Sequence, residues 1–141
     1  ELFIELGKRM VERCAGVPLA INLLGGLLHN RSERMWSMIE TDQCWLTPME
    51  KDYFHILSTS YNHLQPPLLK ICFGYCSIFP KNFKLRKDVL ILLWMALDFL
   101  GSSNMEDVGE NYFNILCQNS MFHDVRKVEY GIMGIFFNCQ M

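Results

Sequence analysis

The chain has 141 residues, half of them hydrophobic, which suits one domain or two small subdomains and is enough to bury a core. With 13 basic against 15 acidic residues its formal charge is -2, which excludes an overall positive field for nucleic acid and leaves only a local basic patch to consider. The longest apolar run, Val89 to Leu97, falls well short of the about twenty residues a membrane-crossing helix needs, so no membrane span is expected.

Helical periodicity begins at once in ELFIELGKRMVERC, where Leu2, Phe3, Leu6, Met10 and Cys14 share one face. The chain is therefore expected to start inside an element whose N-terminal partner lies upstream. A stop near Gly16 and a new helix from Pro18 follow, because proline lacks an amide hydrogen and suits a first helical turn. Gly25 and Gly26 interrupt that second helix, PLAINLLGGLLHN, at a cost of about 1 kcal/mol each relative to alanine, and close approach of a neighbouring backbone is the expected compensation. Ser32 caps a short helix through Trp36 and Ile39, and a loop around Thr47-Pro48 leads to a fourth helix from about Glu50 to Tyr61.

Pro66 and Pro67 open the next helix, which is expected to reach about Ser77 before Phe79-Pro80 stops it. A polar corner, KNFKLRKD, precedes a helix from about Lys87 to Phe99. The stretch 101–104 separates that helix from MEDVGENYFNILCQN. Two strands then read from MFHDVRKVEY and IMGIFFNCQM, joined near Tyr130-Gly131. The expected fold class is mainly α, with a helical bundle over residues 1–65 and a winged-helix domain over 66–141 that ends in a short β-hairpin.

The six cysteines (Cys14, Cys44, Cys72, Cys76, Cys117 and Cys139) show no CxxC pair, and read as reduced, buried thiols of an intracellular, cytoplasmic protein. Cys72 and Cys76 stand one turn apart on an apolar helix and are core residues rather than metal ligands. His29, His55, His63 and His123 lack zinc-site spacing, so no metal is expected. His123-Asp124 are strand neighbours that point to opposite faces and do not form an acid-base pair. No glycine-rich phosphate loop ending in Gly-Lys and Ser or Thr occurs, and no catalytic residues are assigned, so the chain is not read as an enzyme. Lys81, Lys84, Arg86 and Lys87 lie where a helix-turn-helix protein touches DNA, but Glu106, Asp107 and Glu110 on the third helix repel phosphates.

Several long stretches, in order, resemble the nucleotide-binding switch region of plant disease-resistance proteins, the nucleotide-binding leucine-rich-repeat immune receptors. CAGVPLAINLLGGLL resembles the family's GLPLA motif, with Val17 in the usual leucine position. LSTSYNHLQPPLLKICFGYCSIFPKNF resembles the segment that ends in CFLYCSLFPED. LLWMALDFL is similar to LWMAEGF, with Leu97-Asp98 departing from Glu-Gly, and EDVGENYFNILCQNSMF is similar to EDVGEEYFNELLSRSFF. The form CFGYCSIFP is similar to the subgroup with an N-terminal coiled-coil domain.

The resemblance implies a four-helix bundle and a winged helix that close, with an upstream phosphate-loop domain, around ADP and rearrange when ATP replaces it. It implies that Gly16 and Pro18 are cofactor-binding positions, with Pro18 packing near the adenine and sugar. The implied partners are the upstream nucleotide domain, downstream leucine-rich repeats and other receptor copies on activation. The family's Met-His-Asp phosphate sensor is not matched, since Cys139-Gln140-Met141 align just before its histidine; the alternative match, Met133-Gly134-Ile135, would replace its histidine and aspartate. Alone, the chain is expected to bind ADP weakly or not at all and to be poorly soluble. Two alternatives stand beside this reading: a truncated protein-interaction module without nucleotide binding, and a winged-helix DNA binder.

Overall fold

Proline placement and apolar spacing govern where helices begin and which face they bury in this chain. The structure is a computed structural model that describes residues 1–42, 52–80, 83–127 and 135–139. It divides into two units, Glu1–Leu64 and Gln65–Met141.

The first unit holds α1 (Leu2–Arg13), α2 (Pro18–Leu28), α3 (Glu33–Glu40) and α4 (Asp52–Asn62) among its described residues. Leu6 and Met10 of α1, with Cys14 just beyond it, are buried one helical turn apart. Leu2 and Phe3, the first two residues of the same expected face, are 47% and 40% exposed. Phe3 instead lays its ring edge-on to Trp36 of α3, with centroids 4.9 Å apart. Helix α3 packs on α1, and Arg9 ties the pair together through an ion pair to Glu40 at 2.8 Å.

Helix α2 starts at Pro18 as expected and packs on α4 through its apolar side. It runs unbroken through Gly25 and Gly26. A Cβ built on Gly25 meets nothing within 4 Å, so the expected close approach of a neighbouring backbone is absent at that position. Ser32 caps α3 as read, its hydroxyl accepting from the Met35 amide at 3.4 Å. The loop at Thr47-Pro48 lies outside the described residues, and α4 is described from Asp52.

The second unit begins with α5 (Pro67–Tyr75), which tightens into a 3-10 turn at Cys76–Ile78 and ends where Phe79 turns extended before Pro80. Then come β1 (Leu85–Arg86), α6 (Lys87–Ala96), α7 (Met105–Gln118), β2 (Phe122–Lys127) and β3 (Ile135–Cys139). Helix α6 stops three positions short of the expected Phe99, and Asp98 enters the left-handed region with φ +58°. Leu85 and Arg86 form a strand that the sequence did not disclose. They pair antiparallel with Phe137 and Phe136, so the hairpin becomes a three-stranded sheet in the order β1-β3-β2. Strands β2 and β3 pair from Phe122 against Cys139 to Lys127 against Ile135, with a bulge between His123 and Arg126. The join near Tyr130-Gly131 lies outside the described residues.

Three helices, a short strand between the first two, and a closing pair of strands make this unit a winged helix within a mainly α chain. Its core is aromatic: Phe73 of α5, Trp94 of α6, Phe113 of α7 and Phe122 of β2 are all buried. Phe122 stands 5.3 Å from Phe113 and 6.2 Å from Phe73 between ring centroids. Trp94 donates its indole N–H to the Cys72 carbonyl at 3.1 Å, so the polar edge of a fully buried ring is satisfied across the α5–α6 seam.

Candidate functional site

The corner between α1 and α2 is built by backbone conformation rather than by side-chain contacts. Ala15 and Gly16 are both left-handed, with φ +49° and +73°. Glycine takes that conformation without penalty, whereas an alanine there costs about 1 kcal/mol. Val17 then adopts an extended conformation, φ -77° and ψ 114°, as the ring of Pro18 requires of the residue before it. The Val17 amide donates to the Cys14 carbonyl at 2.9 Å, which closes the turn. Both predicted positions, Gly16 and Pro18, are exposed, and Leu19 and Ile21 beside them are 36% and 38% exposed. The corner presents a rigid apolar surface with no proton donor at its proline. The left-handed Ala15 carried no sequence signal, because alanine is not a residue type that marks such a turn.

The basic patch of the winged helix is largely paired within its own unit. Arg86 donates from Nε to Asp88 at 3.0 Å, and this contact holds the Asp88 carboxyl below its usual range. Lys87 forms an ion pair with Glu110 of α7 and lies over the Phe113 ring, 5.1 Å from its centroid. Lys84 is exposed, and Lys81 lies outside the described residues. Glu106, Asp107 and Glu110 are exposed along α7. A surface with this charge pattern offers DNA phosphates few cations and several repelling carboxylates. The Lys87–Glu110 pair was not legible in the sequence because its members come from different helices.

Cys14, Cys72 and Cys76 are buried, and Cys117 is partly exposed. Burial pushes the Cys72 thiol up to about 12, and that of Cys117 up to about 11 despite the opposing charge of Lys87. Both are protonated and unreactive near neutral pH. Cys76 hydrogen-bonds to the Cys72 carbonyl at 3.5 Å, so the pair serves the helix core as the sequence implied. Among the described residues no cluster of His, Cys, Asp and Glu is arranged to hold a metal ion. No helix among them is long and apolar enough to cross a membrane.

Residues 78–141 match the family model of the disease resistance protein winged helix domain. The chain is 42% identical over 127 residues to the putative disease resistance protein RGA4 of Solanum bulbocastanum, covering 86% of this chain and 13% of that protein. It is 39% identical over 140 residues to the putative disease resistance RPP13-like protein 1 of Arabidopsis thaliana, covering 95% of this chain and 13% of that protein. The disease resistance protein RPM1 of Arabidopsis thaliana is 34% identical over 133 residues. The chain thus spans about one eighth of the length of the curated relatives it matches first.

Proposed function

Since the chain carries the winged-helix domain of plant disease-resistance proteins, we propose that it is a segment of an immune receptor's nucleotide switch. In this reading the corner at Gly16 and Pro18 forms one wall of an ADP site, against which the adenine and sugar pack. The phosphates are held by an upstream domain, and the closed arrangement is the resting, autoinhibited state. The chain itself carries no phosphate loop and performs no hydrolysis. The observation that carries the proposal is the exposed left-handed Gly16, two residues before Pro18 at the first turn of α2, in a chain of which 95% aligns with a disease resistance relative.

A physical reason supports the division of labour. An apolar proline face supplies van der Waals contact to a base but no charge, whereas phosphate groups need backbone amides and a lysine around them. The isolated chain therefore binds ADP with a dissociation constant in the millimolar range or weaker; titration calorimetry that shows micromolar affinity would remove the reading. Placed behind a phosphate-loop domain of the same family, the chain is expected to complete a tight ADP site. In that polypeptide Pro18→Ala weakens ADP retention while leaving the thermal midpoint of the ligand-free form nearly unchanged. Equal retention by the Pro18→Ala form would exclude Pro18 from the site.

The exposed apolar residues of the second unit favour the interaction-module reading as a second possibility. Leu68 and Ile71 on α5 and Val89 and Leu92 on α6 are each spaced three apart and are between 39% and 60% exposed. Such faces belong to contacts with other polypeptides, whether or not nucleotide is bound.

A further inference from the structure

Gly25 has no role in the packing of its own unit. It lies within α2, where a glycine costs about 1 kcal/mol relative to alanine. A Cβ there meets no atom within 4 Å. What the missing side chain does is deepen a groove of about 490 Å³ in the first unit. Gly7 of α1 and Trp36 of α3 also line the groove, and the Trp36 ring stands 3.5 Å from a Cβ built at Gly7. Val11 and Ile21 also line it and are 45% and 38% exposed.

The polar groups lie at the turn after α2, where His29, Asn30 and Arg31 complete the lining. Among the described residues no carboxylate lines the groove and Arg31 makes no ion pair. The indole N–H of Trp36 is already donated to the Leu28 carbonyl at 3.1 Å, so the aromatic wall offers no second polar contact. We propose that this groove receives an acidic amphipathic helix of a partner protein, which sets an aliphatic side chain over Gly25 and a carboxylate against Arg31.

Two features select that occupant. The backbone amides and carbonyls of α1 and α2 that border the groove are held in their own helical ladders, so along these two helices an extended segment would find no partners for its backbone, whereas a helix brings its own. Among the described lining residues the charged side chain is that of Arg31, which selects a carboxylate over a lysine or a neutral side chain. Glycine at the floor lets the incoming helix approach more closely than the usual 8–10 Å between axes. The inference does not depend on nucleotide binding.

The probe is a displayed library of single-helix peptides about 20 residues long, a length at which helices begin to hold in water. The full chain is the bait and its Gly25→Leu form the counter-selection. Enriched peptides are expected to share an aliphatic residue three or four positions from Asp or Glu. They should bind the Gly25→Leu chain at least about tenfold more weakly, and the Arg31→Gln chain about tenfold more weakly, the latter a loss of about 1.4 kcal/mol. Leucine at position 25 projects into open space, so circular dichroism should show the variant as helical as the parent. If it is not, Arg31→Gln at the half-buried rim carries the test alone. Enrichment of peptides without acidic residues, equal binding to Arg31→Gln, or no enrichment would each overturn the proposal. Concentration-dependent dimerisation of the chain that Gly25→Leu abolishes would overturn the choice of partner in favour of a second copy.

Discussion

A methyl group added at position 109 and one added at position 25 meet opposite surroundings, although both glycines sit inside helices. At Gly109 of α7 the new Cβ would stand 2.6 Å from Cγ2 of Ile91 and 3.1 Å from Cδ1 of Leu100. Ile91 is β-branched and held on α6, so it cannot swing aside. Gly109→Ala is expected to lower stability by about 1–3 kcal/mol through overpacking. Gly25→Ala, with open space around it, should raise stability by about 1 kcal/mol through helix propensity. Urea denaturation of the two variants should move the midpoint in opposite directions. A third residue-scale case concerns Thr59 and Ser60 of α4, whose hydroxyl oxygens are buried without a hydrogen-bond partner among the described residues. Replacing a buried unsatisfied hydroxyl by a methyl of like shape removes a desolvation penalty, so Thr59→Val should be neutral or stabilising by about 1 kcal/mol in the same assay.

Between elements, the α6–α7 contact depends on Lys87, whose side chain is 15% exposed and engages both Glu110 and the Phe113 ring. A double-mutant cycle of Lys87→Met and Glu110→Gln should give a coupling of about 0.5–1 kcal/mol that shrinks as salt rises, since Glu110 is half exposed. The α5 thiol supplies a pH prediction. The folded-state pKa of Cys72 lies above the ordinary 9.0, so at pH 10 the native state keeps a proton that the unfolded chain has released. Stability is therefore fully present below pH 9 and declines as pH rises towards 12. The urea midpoint should be level between pH 7 and 8.5 and fall above pH 9, with a shallower fall in Cys72→Ala.

Legibility in the sequence divides along the same line between local and non-local causes. Pro18, Pro67 and Ser32 mark helix starts by chemistry that acts within a few residues, and the structure places helices at each. Strand β1 escaped notice because two residues cannot show a periodicity and its partners, Phe136 and Phe137, lie far along the chain. Gly25 and Gly109 look alike in sequence, and only the positions of Ile91 and Leu100 separate them. At the candidate site the turn at Gly16 and Pro18 was readable from residue type, whereas the second left-handed residue, Ala15, and the ion pairs that occupy Arg86 and Lys87 were not.

At the scale of the molecule, each unit owns a separate apolar core, and each leaves large apolar side chains in solvent. Ile71 and Leu92 of the winged helix, 49% and 60% exposed, are expected to drive weak self-association of the isolated chain. Sedimentation velocity should show a concentration-dependent coefficient that the double variant Ile71→Lys/Leu92→Lys flattens. No change in that variant would place the sticky surface elsewhere.

The indole at position 94 is enclosed and hydrogen-bonded, while the one at position 36 is half-buried against Phe3. The chain has three tryptophans, the third being Trp45, which like Trp36 precedes the winged helix in the sequence. Replacing Trp36 and Trp45 by phenylalanine leaves a single emitter inside the winged helix. Its fluorescence should be blue-shifted when folded and shift red when α5 and α6 part. That spectral change turns one buried hydrogen bond into an optical gauge of a single unit, readable in a longer receptor wherever its remaining tryptophans are silenced.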